Sequence, residues 1–247
     1  MSKVSETGHA KNEANWAQLI TFVTSYGTDY NPSNPAIKTA ALQSIADNAK
    51  NSSTVTNIAW SGYKNARAAR EVAFDALGPL VTRTVNAVKA TGTTKQVDEG
   101  AIALARKVKG GKSKRKSKPV TTEPADEEKE IIENSTSQMS FDNRLANTEN
   151  LITLLESVPE YAPNEEDIKP TALRSFYSDL KTKNDATVAA VVALSNARIA
   201  RNVVLYKPLT GMVDLSVDVK NYVKSVYGAR SPQFKQISKL VFKNIKS

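Results

Sequence analysis

Apolar residues recur along this chain at intervals of three and four positions, and nowhere do they alternate strictly with polar residues. This spacing is typical of amphipathic helices and argues against strands. It predicts a first helix over about 11–26 and a similar one over about 141–157. Asn34-Pro35 indicates the start of a second helix, and Ser52-Ser53 the start of a third. The chain is therefore expected to be all-α.

Three further signals divide the rest of each half of the chain. Gly78-Pro79 in the first half and Pro208 in the second are expected to kink or interrupt the third helix. A last helix is predicted over about 96–108, and another over about 232–243, where Ser231-Pro232 provides a clean start. About four helices are therefore expected in each half.

The two halves also match residue by residue, which is the strongest signal in the sequence. The matched pairs are Leu19-Ile-Thr-Phe-Val23 with Leu151-Ile-Thr-Leu-Leu155, Tyr30-Asn-Pro32 with Tyr161-Ala-Pro163, and Asn65-Ala-Arg-Ala-Ala-Arg70 with Asn196-Ala-Arg-Ile-Ala-Arg201. The pattern indicates one ancestral helical unit present twice. It predicts tandem antiparallel bundles over residues 8–108 and 138–247. Each Tyr-x-Pro turn is interpreted as packing at a bundle end.

Charge marks the segment between the two halves. The chain has a formal net charge of +9, but residues 109–118 alone carry six basic groups and no acidic one, and an acidic run follows from Glu123 to Glu133. The stretch 109–137 has few apolar residues to offset the entropy cost of ordering it. We expect it to be a charged, flexible linker, although its basic block could also grip phosphate or another polyanion.

The longest matched polar cluster contains Arg67 and Arg70 in the first half and Arg198 and Arg201 in the second. Arginines three positions apart lie near one helical face and could fork onto a carboxylate or a phosphate. The alternative, which we favour, is an ion pair between helices with a carboxylate such as Asp47 or Asp179. No glycine-rich phosphate loop accompanies these arginines.

Two basic segments are further candidate contacts for an anion or a partner. The linker contributes Lys112, Lys114, Arg115, Lys116 and Lys118. Residues 235–246 alternate lysines with apolar residues, which predicts a basic amphipathic helix able to bind a membrane surface, nucleic acid or a partner groove. We interpret it as the last helix of the bundle, with its lysines at the edge.

The composition excludes several chemical classes. The chain has no cysteine, which removes disulfides, thiol catalysis and Cys-ligated metals, and its single histidine, His9, is expected to be exposed in a loose terminus. We identify no catalytic residue, metal site or cofactor motif. No apolar run approaches the roughly 20 residues of a membrane span, and the N-terminal residues lack a signal peptide's apolar core, so a cytoplasmic location is expected.

Several segments together resemble a known group of proteins. These are TGHAKNEANWAQLI, SYGTDYNPS, NARAARE, STSQMSFDNR and NARIARN. They resemble a family of two-repeat helical proteins from Bacteroidetes bacteria for which no activity is known. The resemblance implies a bacterial origin and assigns no catalytic residue.

The sequence thus favours a non-enzymatic structural or interaction protein. Two similar surfaces on one chain allow self-assembly or the scaffolding of another protein. The alternative is salt-dependent binding of nucleic acid or another polyanion through the basic linker and the basic helix near residue 240. A third, weaker hypothesis is an enzyme or small-ligand carrier in which Arg67 and Arg70 hold an anion.

Overall fold

A computed structural model describes residues 8–110 and 139–245 of the chain. In these two ranges the regular structure is helical and no strand occurs, so the predicted all-α class is confirmed. The α-helices are α1 (His9–Ser25), α2 (Thr39–Asp75), α3 (Leu77–Ala90), α4 (Lys95–Lys109), α5 (Phe141–Glu156), α6 (Pro170–Tyr206), α7 (Met212–Tyr227) and α8 (Pro232–Ser238). Short 3-10 helices cover Gly27–Asp29, Pro35–Ile37 and Glu166–Ile168.

The described residues form two compact units that differ from the predicted domains 8–108 and 138–247. The first unit lies within Met1–Lys64 and Ala189–Ser247, and the second within Asn65–Val188. The reason is that α2 and α6 are each one continuous helix of 37 residues, and each contributes its two halves to different units. The predicted linker 109–137 falls almost entirely on residues 111–138, outside the described residues.

Helix α2 continues through Ser52-Ser53, where a new helix was predicted to begin. The serines do not act as caps, because Ser52 Oγ donates to the Ala49 carbonyl and Ser53 Oγ donates to Glu13. Thr56 likewise donates to the Ser52 carbonyl one turn back. The hydroxyls of Ser52 and Ser53 are therefore bonded elsewhere than at a helix start, and α2 runs through both residues.

The core of the first unit is built from α1, the early part of α2, the end of α6, α7 and α8. Trp16 is its largest fully buried side chain, and its Nε1 donates to the Leu42 carbonyl at 3.0 Å. Aromatic pairs add to this core: Tyr26 lies edge-on to Tyr227, and Tyr30 edge-on to Tyr222. These contacts join segments that are far apart in the sequence.

The core of the second unit is built from the end of α2, α3, α4, α5 and the early part of α6. Phe74 meets Phe141 edge-on, with ring centroids 4.8 Å apart. Helix α4 buries Ala101, Ala105 and Val108. It ends at Gly110, whose left-handed φ of 71° favours glycine, and the Met139 side chain packs beside it.

The Tyr-x-Pro turn makes the same contact in both units. Tyr30 is buried and donates its hydroxyl to the Ile37 carbonyl at 2.7 Å, and Tyr161 donates to the Ile168 carbonyl at 2.8 Å. Burial raises the pKa of Tyr30 well above its ordinary value and that of Tyr161 to about 12. Both phenols are therefore structural donors, as the packing interpretation requires.

The long helices also repeat a contact, with the partners exchanged. In the first unit Thr56 Oγ1 of α2 donates to the Ala197 carbonyl of α6 at 3.2 Å. In the second unit Thr187 Oγ1 of α6 donates to the Ala66 carbonyl of α2 at 3.1 Å. A threonine donating to a neighbouring helix backbone holds the two helices close together.

Two sequence expectations near the chain ends are wrong. The helix predicted over 232–243 starts as expected, with the Ser231 side chain accepting from Phe234 N, but it ends at Ser238 and residues 240–245 are not helical. His9 is not a loose exposed residue: it is the first residue of α1, partly buried, and its Nδ1 lies 2.6 Å from the Tyr206 hydroxyl. Long-range contacts, which local spacing does not report, determine both outcomes.

Candidate functional site

The predicted arginine cluster is divided by the structure into two different environments. Arg67 is exposed on α2 and pairs with Glu71 one turn along, with Nε and Oε1 2.8 Å apart. An exposed pair of this kind contributes little to stability. Arg198 is exposed on α6. Neither residue faces an enclosed site.

Arg70 is instead an internal contact of the second unit. Its Nη1 donates to Asn184 Oδ1 at 3.1 Å, and Asn184 Nδ2 donates to Asp142 Oδ1 at 2.8 Å. The guanidinium also lies 3.9 Å from the centre of the Phe141 ring, a cation–π geometry. Arg70 therefore ties α2 to α5 and α6.

Arg201 occupies the position in the first unit that matches Arg70. Its Nη2 donates to Asn202 Oδ1 at 3.3 Å, a longer bond than Arg70 makes to Asn184. Burial lowers the pKa of Arg201, and the nearby Arg198 lowers it further. The Nε atoms of Arg70 and Arg201 are both buried without a hydrogen-bond partner. The matched arginines thus share this orphaned donor and differ in what surrounds it.

The predicted partners of the arginines are engaged elsewhere. Asp47 accepts from Gln43 Nε2 at 3.0 Å, and Asp179 lies 3.6 Å from Lys183 Nζ. The ion pair expected between these aspartates and the arginines is not what the structure shows. The basic residues Lys112, Lys114, Arg115, Lys116 and Lys118 lie outside the described residues.

A cavity of about 610 Å³ opens in the second unit between α3 and α6. Its walls are largely apolar and include Leu80 and Phe176. Arg83 and Asp167 also line it and form a two-bonded ion pair, which lowers the pKa of Asp167. Its acidic groups are thus already paired, because Asp179 faces Lys183. Across residues 8–110 and 139–245, no three His, Cys, Asp or Glu side chains gather as a metal site.

The most distinctive surface lies on α6. By length and composition alone this helix could cross a membrane, since alanine and valine dominate its middle even though no long uninterrupted apolar run is present. Only 17% of its most apolar window is buried, so this part of α6 is not packed as a core helix is, although other parts of α6 contribute to the two cores. Four of its apolar residues are half exposed or more: Val188 at 52%, Val192 at 53%, Ile199 at 60% and Val203 at 50%.

These four residues form one stripe, named here the α6 face. At 3.6 residues per turn they fall within about 60° of one another around the helix axis. Midway along the stripe, the polar residues Ser195 and Asn196 lie about 50° to either side of its centre line. The helical spacing of apolar residues does not reveal the α6 face, because exposed valines and buried ones recur at the same intervals. The sequence signal that could have revealed it is the high mean hydropathy of an 18-residue window of α6 that contains few charged residues.

Comparison of the chain with protein-family models, with curated proteins and with solved structures finds no match. The resemblance to a Bacteroidetes family therefore stays an expectation. The candidate site rests on the geometry of α6 alone.

Proposed function

We propose that this chain is a non-enzymatic interaction protein that self-associates through the α6 face. The proposal rests on one observation about α6: an 18-residue window of this helix is apolar enough for a membrane span, yet only 17% of that window is buried. Contiguous exposed apolar surface is typical of an interaction site. Completing the burial of a half-exposed valine or isoleucine is worth about 1 kcal/mol, so four residues per copy provide a substantial driving force.

The spacing of the α6 face favours a second copy as the partner. Its residues are separated by four, seven and four positions, so the stripe reads the same in both directions along the helix. Two antiparallel copies related by a twofold axis between Ser195 and Asn196 would place Val192 against Ile199 and Val188 against Val203. A self-complementary stripe is what an isologous contact requires.

Small residues beside the stripe support a close approach between helices. Ala189, Ala193 and Ala200 lie on α6 among the exposed residues. Short side chains allow helix axes to come near the lower end of the usual 8–10 Å range.

We also propose that the chain arose by internal duplication. The matched sequences are supported by the paired contacts of Tyr30 with Tyr161 and of Thr56 with Thr187. The long helices α2 and α6 have the same length of 37 residues. The buried Nε atoms of Arg70 and Arg201 add a third correspondence.

A charge placed in the stripe tests the self-association. The double variant Val192→Asp/Ile199→Asp of the full chain is expected to fall to the 26.8 kDa monomer mass in light scattering, because it buries four carboxylates in the contact. The matched control is Val217→Asp on α7, since Val217 is 53% exposed, the same as Val192. Equal masses for the double variant and the control would overturn the proposal.

The same experiment distinguishes two other occupants of the α6 face. Wild-type chain that stays monomeric in solution but floats with neutral phosphatidylcholine vesicles would indicate a membrane surface. Chain that stays monomeric and leaves the vesicles unbound would indicate a different protein as the partner. Either result excludes the second copy.

A further inference from the structure

Lys239 ends α8 in a helical conformation, and residues 240–245 continue without helix or strand and lie against α1 and α7 in the first unit. Asn12 of α1 holds it with both ends of its amide: Nδ2 donates to the Lys243 carbonyl at 2.8 Å, and Oδ1 accepts from Lys243 N at 3.1 Å. Asn12 is buried. A side-chain amide that pairs in this way imitates the neighbouring strand of a sheet.

Two more side chains bind the same main chain. Asn15 Nδ2 donates to the Val241 carbonyl at 2.7 Å, and Lys220 Nζ of α7 donates to the Leu240 carbonyl at 2.5 Å. Three of the four residues 240–243 therefore have a backbone group bonded from outside the segment. Bonds to the main chain do not depend on the identity of the side chains they hold.

The side chains of the segment alternate between the core and solvent. Leu240 is buried, Val241 is 55% exposed, and Phe242 packs against the core of the first unit. The Phe242 ring meets Trp16 edge-on, with centroids 6.1 Å apart, and Lys220 Nζ lies 5.2 Å from the same ring. The groove thus accepts two apolar side chains separated by one residue, as extended-peptide sites do.

The groove also requires an occupant. Without the segment, the buried amides of Asn12 and Asn15 would lose these partners, and the Trp16 ring would lose its contact with Phe242. Buried polar groups left unpaired are costly. Burial lowers the pKa of Lys220, and its Nζ donates to the Leu240 carbonyl of the segment.

We propose that this groove is a binding site for an extended peptide with apolar residues at alternate positions, and that in an assembly this peptide is residues 239–245 of a second copy. The segment occupies the groove within one chain through a junction at Ser238-Lys239, directly after the seven-residue helix α8. Exchange between copies would keep every contact described above and add no new one, the low-cost route of domain swapping. The site goes beyond the α6 face: a copy that is released from that face closes the groove with its own segment, and exchange requires only that this segment is displaced.

A peptide supplied in trans tests the site. The target is the full chain carrying Leu240→Asp/Phe242→Asp, whose own segment cannot fill the groove, and the probe is a fluorescent peptide of residues 238–245. The anisotropy is expected to saturate, with affinity at least tenfold tighter than for a probe with the same two aspartates. Adding Asn12→Ala to the target should weaken binding at least tenfold. Equal binding of the two probes would overturn the proposal.

Folding of the target is checked by circular dichroism. If the double variant lacks its helical signal when alone, the peptide is expected to restore it, and the aspartate probe is not. Failure of the peptide both to bind a folded target and to restore an unfolded one contradicts the site. The milder variant Phe242→Ala removes only the ring that meets Trp16 and serves as a second target.

The source of the peptide is tested by mixing two full chains, both carrying Val192→Asp/Ile199→Asp to remove association through the α6 face. One chain also carries Leu240→Asp/Phe242→Asp, and the other carries Asn12→Ala. The mixture is expected to give a mass of twice 26.8 kDa, while each chain alone stays monomeric. If the peptide binds but the two chains form no mixed dimer, the second copy is excluded as the source of the peptide. Because both chains lack association through the α6 face, this result says nothing against that face.

Discussion

The two units use similar helices but close their cores differently. In the second unit helix α4 covers α3 and α5 with its own apolar stripe, Ala101, Ala105 and Val108. In the first unit the corresponding cover is the short helix α8 followed by the non-helical residues 240–245. A helix satisfies its own backbone, whereas an extended segment needs donors and acceptors from its surroundings. Asn12, Asn15 and Lys220 meet this need.

A second contrast lies in the matched arginines. Arg70 reaches Asn184 and the Phe141 ring, whereas Arg201 bonds to its neighbour Asn202. The matched arginine therefore joins three helices in the second unit, whereas in the first unit it bonds within its own helix. The matched positions therefore agree in their packing, whereas the polar partners of the two arginines differ. Substitutions at matched positions should therefore lower the free energy of unfolding by different amounts in the two units.

The largest difference is expected at the position three residues before the matched Leu-Ile-Thr, occupied by Trp16 in the first unit and Thr148 in the second. Trp16→Ala should cost about 3–5 kcal/mol, because it empties a fully buried ring site. Thr148→Ala should cost about 1 kcal/mol, the worth of one hydroxyl bond to the Arg144 carbonyl. Urea denaturation measures both, and similar losses would contradict the assignment of the cores.

Arg70→Ala should be more destabilising than Arg201→Ala. We expect about 2 kcal/mol for Arg70, because its removal leaves Asn184 Oδ1 without its donor and takes the cation from Phe141. About 1 kcal/mol or less is expected for Arg201. Arg67→Ala, which loses an exposed pair with Glu71, is the surface control. A loss for Arg201 as large as that for Arg70 would show that the two environments are equivalent.

The tyrosine turns should instead behave alike. Tyr30→Phe and Tyr161→Phe each remove one buried hydroxyl donor to a carbonyl, so each should cost about 1 kcal/mol. The measurement is the shift of the urea midpoint at constant slope. A marked inequality would mean that the shared turn does not contribute equally to the two units.

The smallest effect concerns pH and is confined to the first unit. Burial, and then the charge of Arg201, lowers the pKa of His9, so the unfolded chain binds this proton more readily than the folded one. Stability is therefore expected to be unaffected above about pH 6.5 and to fall as the pH drops below that value. His9→Gln should remove the loss between about pH 6.5 and 5.5. As the chain has a single histidine, a drop that persists in this variant would assign it to other groups.

Local pattern predicted much of the helical structure. Helix α5 was expected over 141–157 and covers Phe141–Glu156, and α4 was expected over 96–108 and covers Lys95–Lys109. Both have clear signals at their ends: Ser140 accepts from Asn143 N, and Gly110 ends α4 in a left-handed conformation. Such signals are local and can be read without knowledge of tertiary contacts.

The arrangement of the helices could not be predicted in the same way. Ser53 of the unbroken α2 donates to Glu13 on α1, and the non-helical residues 241 and 243 bond to Asn15 and Asn12, more than 200 positions away in sequence. The α6 face shows only as exposure, since its valines have the same helical spacing as core residues. Tertiary contacts override local preference at these places.

The most direct test of the central claim is the light-scattering mass of the wild-type full chain over a range of concentrations, at low and high salt, with the 260 to 280 nm absorbance ratio across the peak. Association through an apolar α6 face predicts at least twice 26.8 kDa, retained at high salt and without excess absorbance at 260 nm. A mass of 26.8 kDa at every concentration would contradict it. So would a species that carries nucleic acid and dissociates in salt, which would favour the polyanion alternative.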